Sequence, residues 1–375
     1  MPEPRQPRIS STPHSDFTSD ALKKLGWAAG VAGAFQPYAD SHLPARVCRI
    51  DKGGAVVTTA DGPLHVTYGG AVLADAAADR SRFPAAGDWV AVRHWPDGRI
   101  TLDAVLPRRT ALIRDSADRT SHGQVVAANI DLVVIVEHLH PDPDLGRIER
   151  LLVLAWASGA VPLVVLTKSD LVADPDGMRD EVSQVAVGVK VLAVSVPEDA
   201  GLTPLRDRLS PELTLAVVGP SGAGKSTLVN ALAGAEVMPI GEVRDRDGKG
   251  RHTTTHRELI VLPGGGIVID TPGVRSVGLV SDAEAIAEVY PEIDELAEQC
   301  RFRDCQHRTE PGCAVLAAIE SGDLDESRFT RWLKLGREAA YQARRADARL
   351  RQQDKAVWKQ RTKALRDHYR HRDPG

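Results

Sequence analysis

The sequence predicts a multidomain α/β protein with an N-terminal OB-type β-barrel, a central domain built on a mostly parallel sheet, and a C-terminal zinc-binding α-helical domain. Short alternating runs with glycine turns fill residues 45–112, which favours a barrel. Buried strands alternate with helices over 125–278, and three cysteines cluster with a histidine near residue 305. We expect domains at 41–114, 120–280 and 281–375, preceded by a disordered extension over 1–40.

Composition narrows the class of protein. Of 375 residues, 42% are hydrophobic and 26% are charged, which is typical of a globular protein with ample core. The formal net charge of −4 gives no overall nucleic-acid signature, so any basic surface must be local. Residues 1–20 lack an apolar signal segment, and Pro162 interrupts the longest apolar run. We therefore expect no membrane association, and clustered cysteines favour the reducing cytoplasm.

The barrel is predicted from short strands that end at turn residues. Val47–Ile50 and Ala55–Thr59 are each followed by a glycine-containing turn, as expected for a five-stranded barrel. Its basic residues are candidates for RNA contact, although a solvated face is the simpler alternative and the one we favour from this segment alone. The candidates are Arg46, Arg49, Lys52, Arg93 and Arg99.

The central domain is organised around a phosphate-binding loop. The apolar run Leu215–Val218 ends at a segment that fits the pattern G-x-x-x-x-G-K-[ST], and a helix-forming segment begins near Lys225. The loop consists of Gly219, Pro220, Ser221, Gly222, Ala223, Gly224, Lys225 and Ser226, with Thr227 next in the helix. Glycines let backbone N–H groups face a phosphate; Lys225 is expected to reach the β- and γ-phosphates and Ser226 to bind Mg²⁺. The sequence predicts a nucleoside triphosphate site.

A candidate guanine-binding motif follows another predicted strand, Val161–Leu166. It consists of Thr167, Lys168, Ser169 and Asp170. The Asp170 carboxylate can accept the N1–H and N2–H₂ donors of guanine, a pair that adenine lacks, while the Lys168 stem lies along the base. Ser195, after the next strand, is a weaker candidate for a backbone contact to the guanine oxygen.

Two further segments are candidates for magnesium and the γ-phosphate. Asp270 and Gly273 belong to the sequence DTPG after a predicted strand; Asp270 would hold Mg²⁺ through water, and the Gly273 N–H would bond the γ-phosphate. The charged, glycine-rich segment 248–257 suits a first switch. One of three threonines there should complete the magnesium shell, and the sequence leaves open which: Thr253, Thr254 or Thr255.

A metal site is predicted from four soft ligands within fourteen residues. Cys300, Cys305, His307 and Cys313 have the spacing C-x₄-C-x-H-x₅-C, which suits one tetrahedral zinc ion per chain. With all four positions filled by protein, the site should be structural. The alternative is a chance grouping of core thiols.

The order of these motifs is unusual, because the guanine-reading TKSD precedes the phosphate loop, whereas ordinary GTPases have it after. With the segments RHTTT and DTPG, the N-terminal barrel and the Cys/His cluster, this order resembles the circularly permuted small ribosomal subunit biogenesis GTPases of the RsgA type. The resemblance runs from Ala45 through the charged C-terminal region. It implies a monomeric, circularly permuted P-loop GTPase that uses Mg²⁺ with GTP and yields GDP and phosphate. It also implies a late-stage assembly factor that binds rRNA and is stimulated by the small ribosomal subunit.

Two departures from the expected patterns concern affinity and rate. Thr167 stands where the family commonly has asparagine, so base affinity could be lower. Val274 follows Gly273, where Ras-type enzymes have a water-orienting glutamine, so hydrolysis by the isolated protein should be slow. The family's matching position makes His252 the candidate that orients the water, with His256 as second choice. The plain alternative is a solvated loop histidine.

The C-terminal region is rich in arginine and lysine from Arg328 to Arg370 and contains few helix breakers. We expect one or two basic helices there that contact rRNA, with a solvated face as the alternative. Two other function classes stay open. One is a P-loop ATPase or kinase acting on a small molecule, and the other is a non-catalytic RNA-binding scaffold clamped by GTP.

Overall fold

The computed structural model describes residues 20–114, 123–239, 258–271 and 283–346. Within these ranges, no helix combines the length and the apolar character needed to cross a membrane.

The first described segment packs on the barrel through two short helices, α1 (Asp20–Lys23) and α2 (Ala29–Phe35). Trp27 lies edge-on against Trp89 of the barrel, with 4.8 Å between ring centroids, and Phe35 is buried beside them. The expected disorder over 1–40 is therefore wrong for residues 20–40. The few apolar side chains are too irregularly spaced to show a period, yet they bury together against the barrel.

The barrel is closed, with strand order β1-β2-β3-β5-β4, which confirms the predicted five-stranded architecture. Alternate side chains fill its interior, including Val47, Val57, Val90 and Leu102, as the period of two along each strand requires. The elements are β1 (Leu43–Asp51), β2 (Gly54–Thr59), β3 (Gly62–Tyr68), α3 (Gly70–Ala78), β4 (Trp89–His94) and β5 (Ile100–Val105).

Arg46 of β1 points away from the barrel interior towards the central domain and is only 1% exposed. Its guanidinium donates to the carbonyl oxygens of Leu25, Gly87 (3.2 Å) and Asn129 (3.2 Å), and to the hydroxyl of Thr214 (3.0 Å). Burial lowers the pKa of Arg46 to about 10. Arg46 was a candidate for RNA contact, with a solvated face as the favoured alternative, and burial contradicts both; it joins three parts of the fold instead.

The central sheet has six strands in the order β10-β9-β8-β11-β13-β12, and only the β12–β13 pair is antiparallel. Its inner strands are buried along almost their whole length because helices cover both faces, which confirms the mostly parallel sheet. The strands are β8 (Leu132–His138), β9 (Val161–Thr167), β10 (Val191–Ala193), β11 (Thr214–Val218), β12 (Leu259–Val261) and β13 (Ile267–Asp270). The helices are α4 (Leu145–Ala157), α5 (Pro175–Val185), α6 (Thr203–Arg206) and α7 (Lys225–Ala233). A separate pair, β6 (Ala111–Arg114) and β7 (Gln124–Ala128), leads into the sheet.

The C-terminal region is helical, as predicted. Its helices are α8 (Ala283–Val289), α9 (Pro291–Glu298), α10 (Ala314–Ser321) and α11 (Glu326–Ala346). α8 packs against α4 of the central domain, and α11 lies against α8.

The start of α11 is fixed to the central domain by buried charges. The Arg328 Nη1 atom lies 2.9 Å from a carboxylate oxygen of Glu149 on α4, and Arg331 pairs with the same carboxylate. The Glu149 side chain is completely buried. Arg328 also pairs with Glu292 of α9. Both arginines belong to the basic run that is expected to contact rRNA; for Arg328 and Arg331 that prediction is wrong, because they neutralise a buried acid.

Candidate functional site

The predicted nucleotide motifs follow strands that end at one edge of the sheet. β8, β9, β11 and β13 run parallel, with His138 in register with Thr167 and Val217 in register with Asp270. The carboxyl ends of such strands are where ligands bind in open α/β sheets. The parallel strands therefore bring the candidate guanine-binding motif and the phosphate loop to the same edge of the sheet.

The phosphate loop has the backbone that its glycines allow. A Cβ atom on Gly219 (φ +141°) would lie 2.1 Å from the carbonyl oxygen of Val136, so only glycine fits. Gly224, with φ +85°, adopts the left-handed conformation at the N-cap of α7. The Lys225 ammonium donates to the carbonyl oxygens of Gly219 (3.0 Å) and Pro220 (2.6 Å). The Lys225 side chain thus lies across the loop. Ser226 and Thr227 lie in the first turn of α7, and the positive end of this helix faces the loop.

The guanine motif and the phosphate loop are tied together by Thr167. Its hydroxyl donates to the carbonyl oxygen of Ala223 at 2.7 Å and lies 3.3 Å from that of Glu137. Thr167 is 3% exposed, so the bond is shielded from water. A threonine hydroxyl here makes a brace between the two loops, although the asparagine amide expected at this position is absent.

We expect removal of this brace to weaken nucleotide binding. In Thr167→Val the buried Ala223 carbonyl loses its donor, which costs the loop conformation that binds nucleotide about 1–3 kcal/mol, so the Kd for GDP should rise by up to about 150-fold. Thr167→Ser keeps the hydroxyl and serves as the matched control. Titration with a fluorescent GDP analogue measures both. Equal affinities for the valine and serine variants would show that the hydroxyl has no role.

The rest of the guanine motif is held in a tight turn. Lys168 has a positive φ of 61°, and the Ser169 N–H donates to the carbonyl oxygen of Val194 at 3.2 Å. Asp170 is exposed on the following turn. Ser195 is fully buried, and its N–H, the group that would reach the guanine oxygen, already donates to the carbonyl oxygen of Ala200 at 3.0 Å.

Asp270 ends β13 beside the phosphate loop. Burial raises the pKa of its carboxyl group, while the positive charge of Lys225 lowers it. The next residue, Thr271, donates its hydroxyl to the carbonyl oxygen of Val217 at 2.9 Å and fixes this strand end to β11. A carboxylate and a serine hydroxyl at one edge are the hard oxygen ligands that Mg²⁺ prefers.

Several predicted site residues lie outside the described part of the chain. They are His252, Thr253, Thr254, Thr255, His256, Gly273 and Val274.

Sequence reasoning overlooked a buried ion pair at the same edge of the sheet. The Glu137 side chain at the end of β8 is completely buried and lies 2.7 Å from Nε of Arg147 on α4. An acid directly after an otherwise apolar strand was the signal. The Glu137–Arg147 pair fixes the start of α4 beside the strand end that supports Thr167.

The four predicted metal ligands converge in the C-terminal region. Their donor atoms all lie within 4.8 Å of one another. The Cys300 and Cys313 sulfurs are 3.8 Å apart, and Nδ1 of His307 lies 3.6 Å from Cys300 and 3.4 Å from Cys313. With zinc–sulfur bonds of about 2.3 Å, the sulfurs of a tetrahedral site stand about 3.8 Å apart. The cluster is therefore consistent with a zinc site in both chemistry and size.

Comparison with known proteins agrees with this architecture. A family model described as RsgA GTPase matches residues 105–280. A Streptomyces coelicolor protein named small ribosomal subunit biogenesis GTPase RsgA is 48% identical over 360 residues, which cover 94% of this chain and 95% of the relative. A protein of the same name from Opitutus terrae is 45% identical, covering 90% and 95% of the two chains.

Two solved structures share the fold. YjeQ from Thermotoga maritima aligns with a TM-score of 0.57 and 24% identity over 80% of this chain and 99% of its own. YloQ, described as a circularly permuted GTPase, aligns with a TM-score of 0.54 and 22% identity over 80% of this chain and 95% of its own. Because its sequence is 48% identical to a named relative over 94% of the chain, this protein belongs to the RsgA GTPase family and is a GTP-hydrolysing enzyme.

Proposed function

We propose that this enzyme hydrolyses GTP as a late-stage maturation factor of the small ribosomal subunit, and that it binds rRNA and is stimulated by the subunit. The main structural support is the hydrogen bond from Thr167 to Ala223, which joins the segment 167–170 to the phosphate loop. The role on the subunit follows the name shared by relatives that cover almost the whole chain. Such a role would place the protein in the cytoplasm, and a monomer suffices for it.

In this proposal the nucleotide lies along the carboxyl edge of the sheet. Asp170 and Lys168 bind guanine, backbone N–H groups from Gly219 to Thr227 surround the phosphates, and Lys225 neutralises the β- and γ-phosphates. Ser226, Asp270 and one of the three threonines at 253–255 would hold Mg²⁺, which would supply positive charge to the β- and γ-phosphates when bound. The Gly273 N–H bonds the γ-phosphate, so its loop responds to hydrolysis.

The proposed stimulation rests on the identity of the residue after Gly273. That residue, Val274, carries no group that can orient water, so the isolated enzyme should turn over slowly. In the proposed mechanism His252 takes this role once the first switch is ordered by the subunit. The subunit would then contribute only by positioning His252 and would supply no catalytic group of its own.

Phosphate release from GTP and ATP, with and without purified small subunits, tests this function. We expect slow release from GTP alone, release at least about tenfold faster with small subunits, and no comparable release from ATP. His252→Ala should keep GTP binding and lose the stimulation. Equal rates with and without subunits would contradict the proposed role, and a preference for ATP would revive the kinase or ATPase alternative.

We also propose that Cys300, Cys305, His307 and Cys313 bind one structural zinc ion per chain. The ligands are all supplied by protein, so the ion fixes the loop and leaves no position for a catalytic water. Metal analysis should find one zinc per chain, and Cys305→Ser should lower the zinc content and increase proteolysis near residue 305. Zinc-free protein with the same protease resistance would contradict a structural role.

A further inference from the structure

We propose that the segment Arg301–Arg303, between two of the clustered cysteines, binds single-stranded RNA by stacking one base on Phe302. This inference rests on the proposed function, because it specifies one contact with the rRNA partner. Phe302 is 41% exposed, so its ring is open to a ligand. Arg301 and Arg303 on either side of it are exposed as well.

The ring is presented by a braced loop. The Arg301 N–H donates to the carbonyl oxygen of Gly312 at 3.0 Å, and the Cys305 N–H donates to that of Phe302 at 3.2 Å. The Arg301 guanidinium carbon lies 5.4 Å from the centroid of the Phe302 ring, within cation–π range. The segment lies between Cys300 and Cys305 and is held by these backbone hydrogen bonds. Little conformational entropy should therefore be lost when the Phe302 ring stacks on a base.

The charges around Phe302 favour a polyanion. Arg308, also exposed, adds a third guanidinium to this loop, and two acids, Asp304 and Glu310, accompany the three. The Glu310 carboxylate accepts hydrogen bonds from the backbone N–H groups of Gln306, Arg308 and Thr309 at 2.7–3.0 Å, so its charge is largely met within the loop. Positive charge is left on the outer surface, beside the aromatic face.

One base fits better than a protein partner. Apolar docking surfaces on proteins are contiguous patches of several hundred Å². Phe302 has exposed polar neighbours in sequence on both sides, so it offers a single ring. Single-stranded RNA supplies one π-face per nucleotide together with phosphates for the guanidiniums.

The test uses the full-length, metal-containing protein and a fluorescein-labelled oligouridylate, with fluorescence anisotropy as the readout. Phe302→Ala should raise the Kd roughly 5- to 150-fold, which corresponds to the loss of one base–aromatic stack. Phe302→Tyr keeps the ring and should keep the affinity. Arg303→Gln should weaken binding and reduce the slope of log K against log salt by about 0.7. Leu73→Ala, at another exposed apolar side chain (49%), is the matched surface control and should change nothing.

The inference is wrong if wild type fails to bind the oligouridylate, if Phe302→Ala binds it as wild type does, or if Phe302→Tyr loses as much affinity as the alanine variant. Zinc content and GTP hydrolysis of Phe302→Ala should match wild type, which separates a lost contact from a misfolded loop. If small subunits stimulate wild type while Phe302 proves irrelevant, the proposed function stands without this contact. If stimulation is absent while oligouridylate binding depends on Phe302, the reverse holds.

Discussion

Asp170→Asn is expected to abolish the preference for guanine nucleotides and to create one for xanthine nucleotides. In the proposed complex the carboxylate accepts two hydrogen bonds from guanine, each contributing about 1.5–3 kcal/mol, so the Kd for GDP should rise about 10²- to 10⁴-fold. Xanthine carries a carbonyl oxygen where guanine has its 2-amino group, and an asparagine amide can donate to that oxygen. Xanthosine diphosphate should therefore bind the variant more tightly than GDP.

Competition between the two diphosphates for a fluorescent nucleotide analogue measures this exchange. Asp176→Asn is the matched control, because its exposed carboxylate pairs with Arg179 on α5 and belongs to no nucleotide motif. That variant should bind GDP as wild type does. If Asp170→Asn kept its affinity for GDP, the assignment of Asp170 to the base would be abandoned.

Arg328→Met should lower the free energy of unfolding by about 1.5–3 kcal/mol, because the buried Glu149 loses one of the two arginines that hydrogen-bond to it. The Glu149 side chain is completely buried, so water cannot replace the lost hydrogen bond, and the two hydrogen bonds from Arg331 remain. Glu292 also loses its ion pair with Arg328 in this variant. We expect the damage to concentrate where α11 meets α4.

Chemical denaturation compares this variant with Arg179→Met, which removes exposed ion pairs with Asp176 and Asp180 and should leave the denaturation midpoint almost unchanged. The double variant Glu149→Gln/Arg328→Met removes both charges and should recover part of the loss. Faster hydrogen exchange in α11 would locate the effect. Similar denaturation midpoints for the two single methionine variants would mean that the buried network contributes little.

The sequence identified the chemistry of the site more completely than the orientation of its charged residues. The phosphate loop and the cysteine cluster could be predicted because their spacing encodes a local backbone, and the structure brings each set together. The guanine motif was found from its place after a strand. That it shares an edge with the phosphate loop follows from parallel strands alone.

Long-range pairing could not be predicted. The sequence of α11 is mostly basic, and nothing local indicates that Arg328 and Arg331 face an acid about 180 residues earlier. Likewise, Thr167 reads as a deficiency in the sequence because its acceptor, Ala223, is far away along the chain. The residues proposed to orient water and complete the magnesium shell, His252 and the threonines at 253–255, stay predictions because they lie outside the described residues.

The position of Arg46 decides how this protein can be divided. One cation serves the N-terminal segment, the barrel and the first residue of the strand that leads to the phosphate loop. A fragment that contains the barrel alone would keep Arg46 but lose its acceptors Asn129 and Thr214. A fragment that contains the sheet alone would keep these acceptors but lose the Arg46 guanidinium. Truncated versions would therefore be poor stand-ins for the nucleotide-binding half, and the intact chain is the sensible unit for biochemistry.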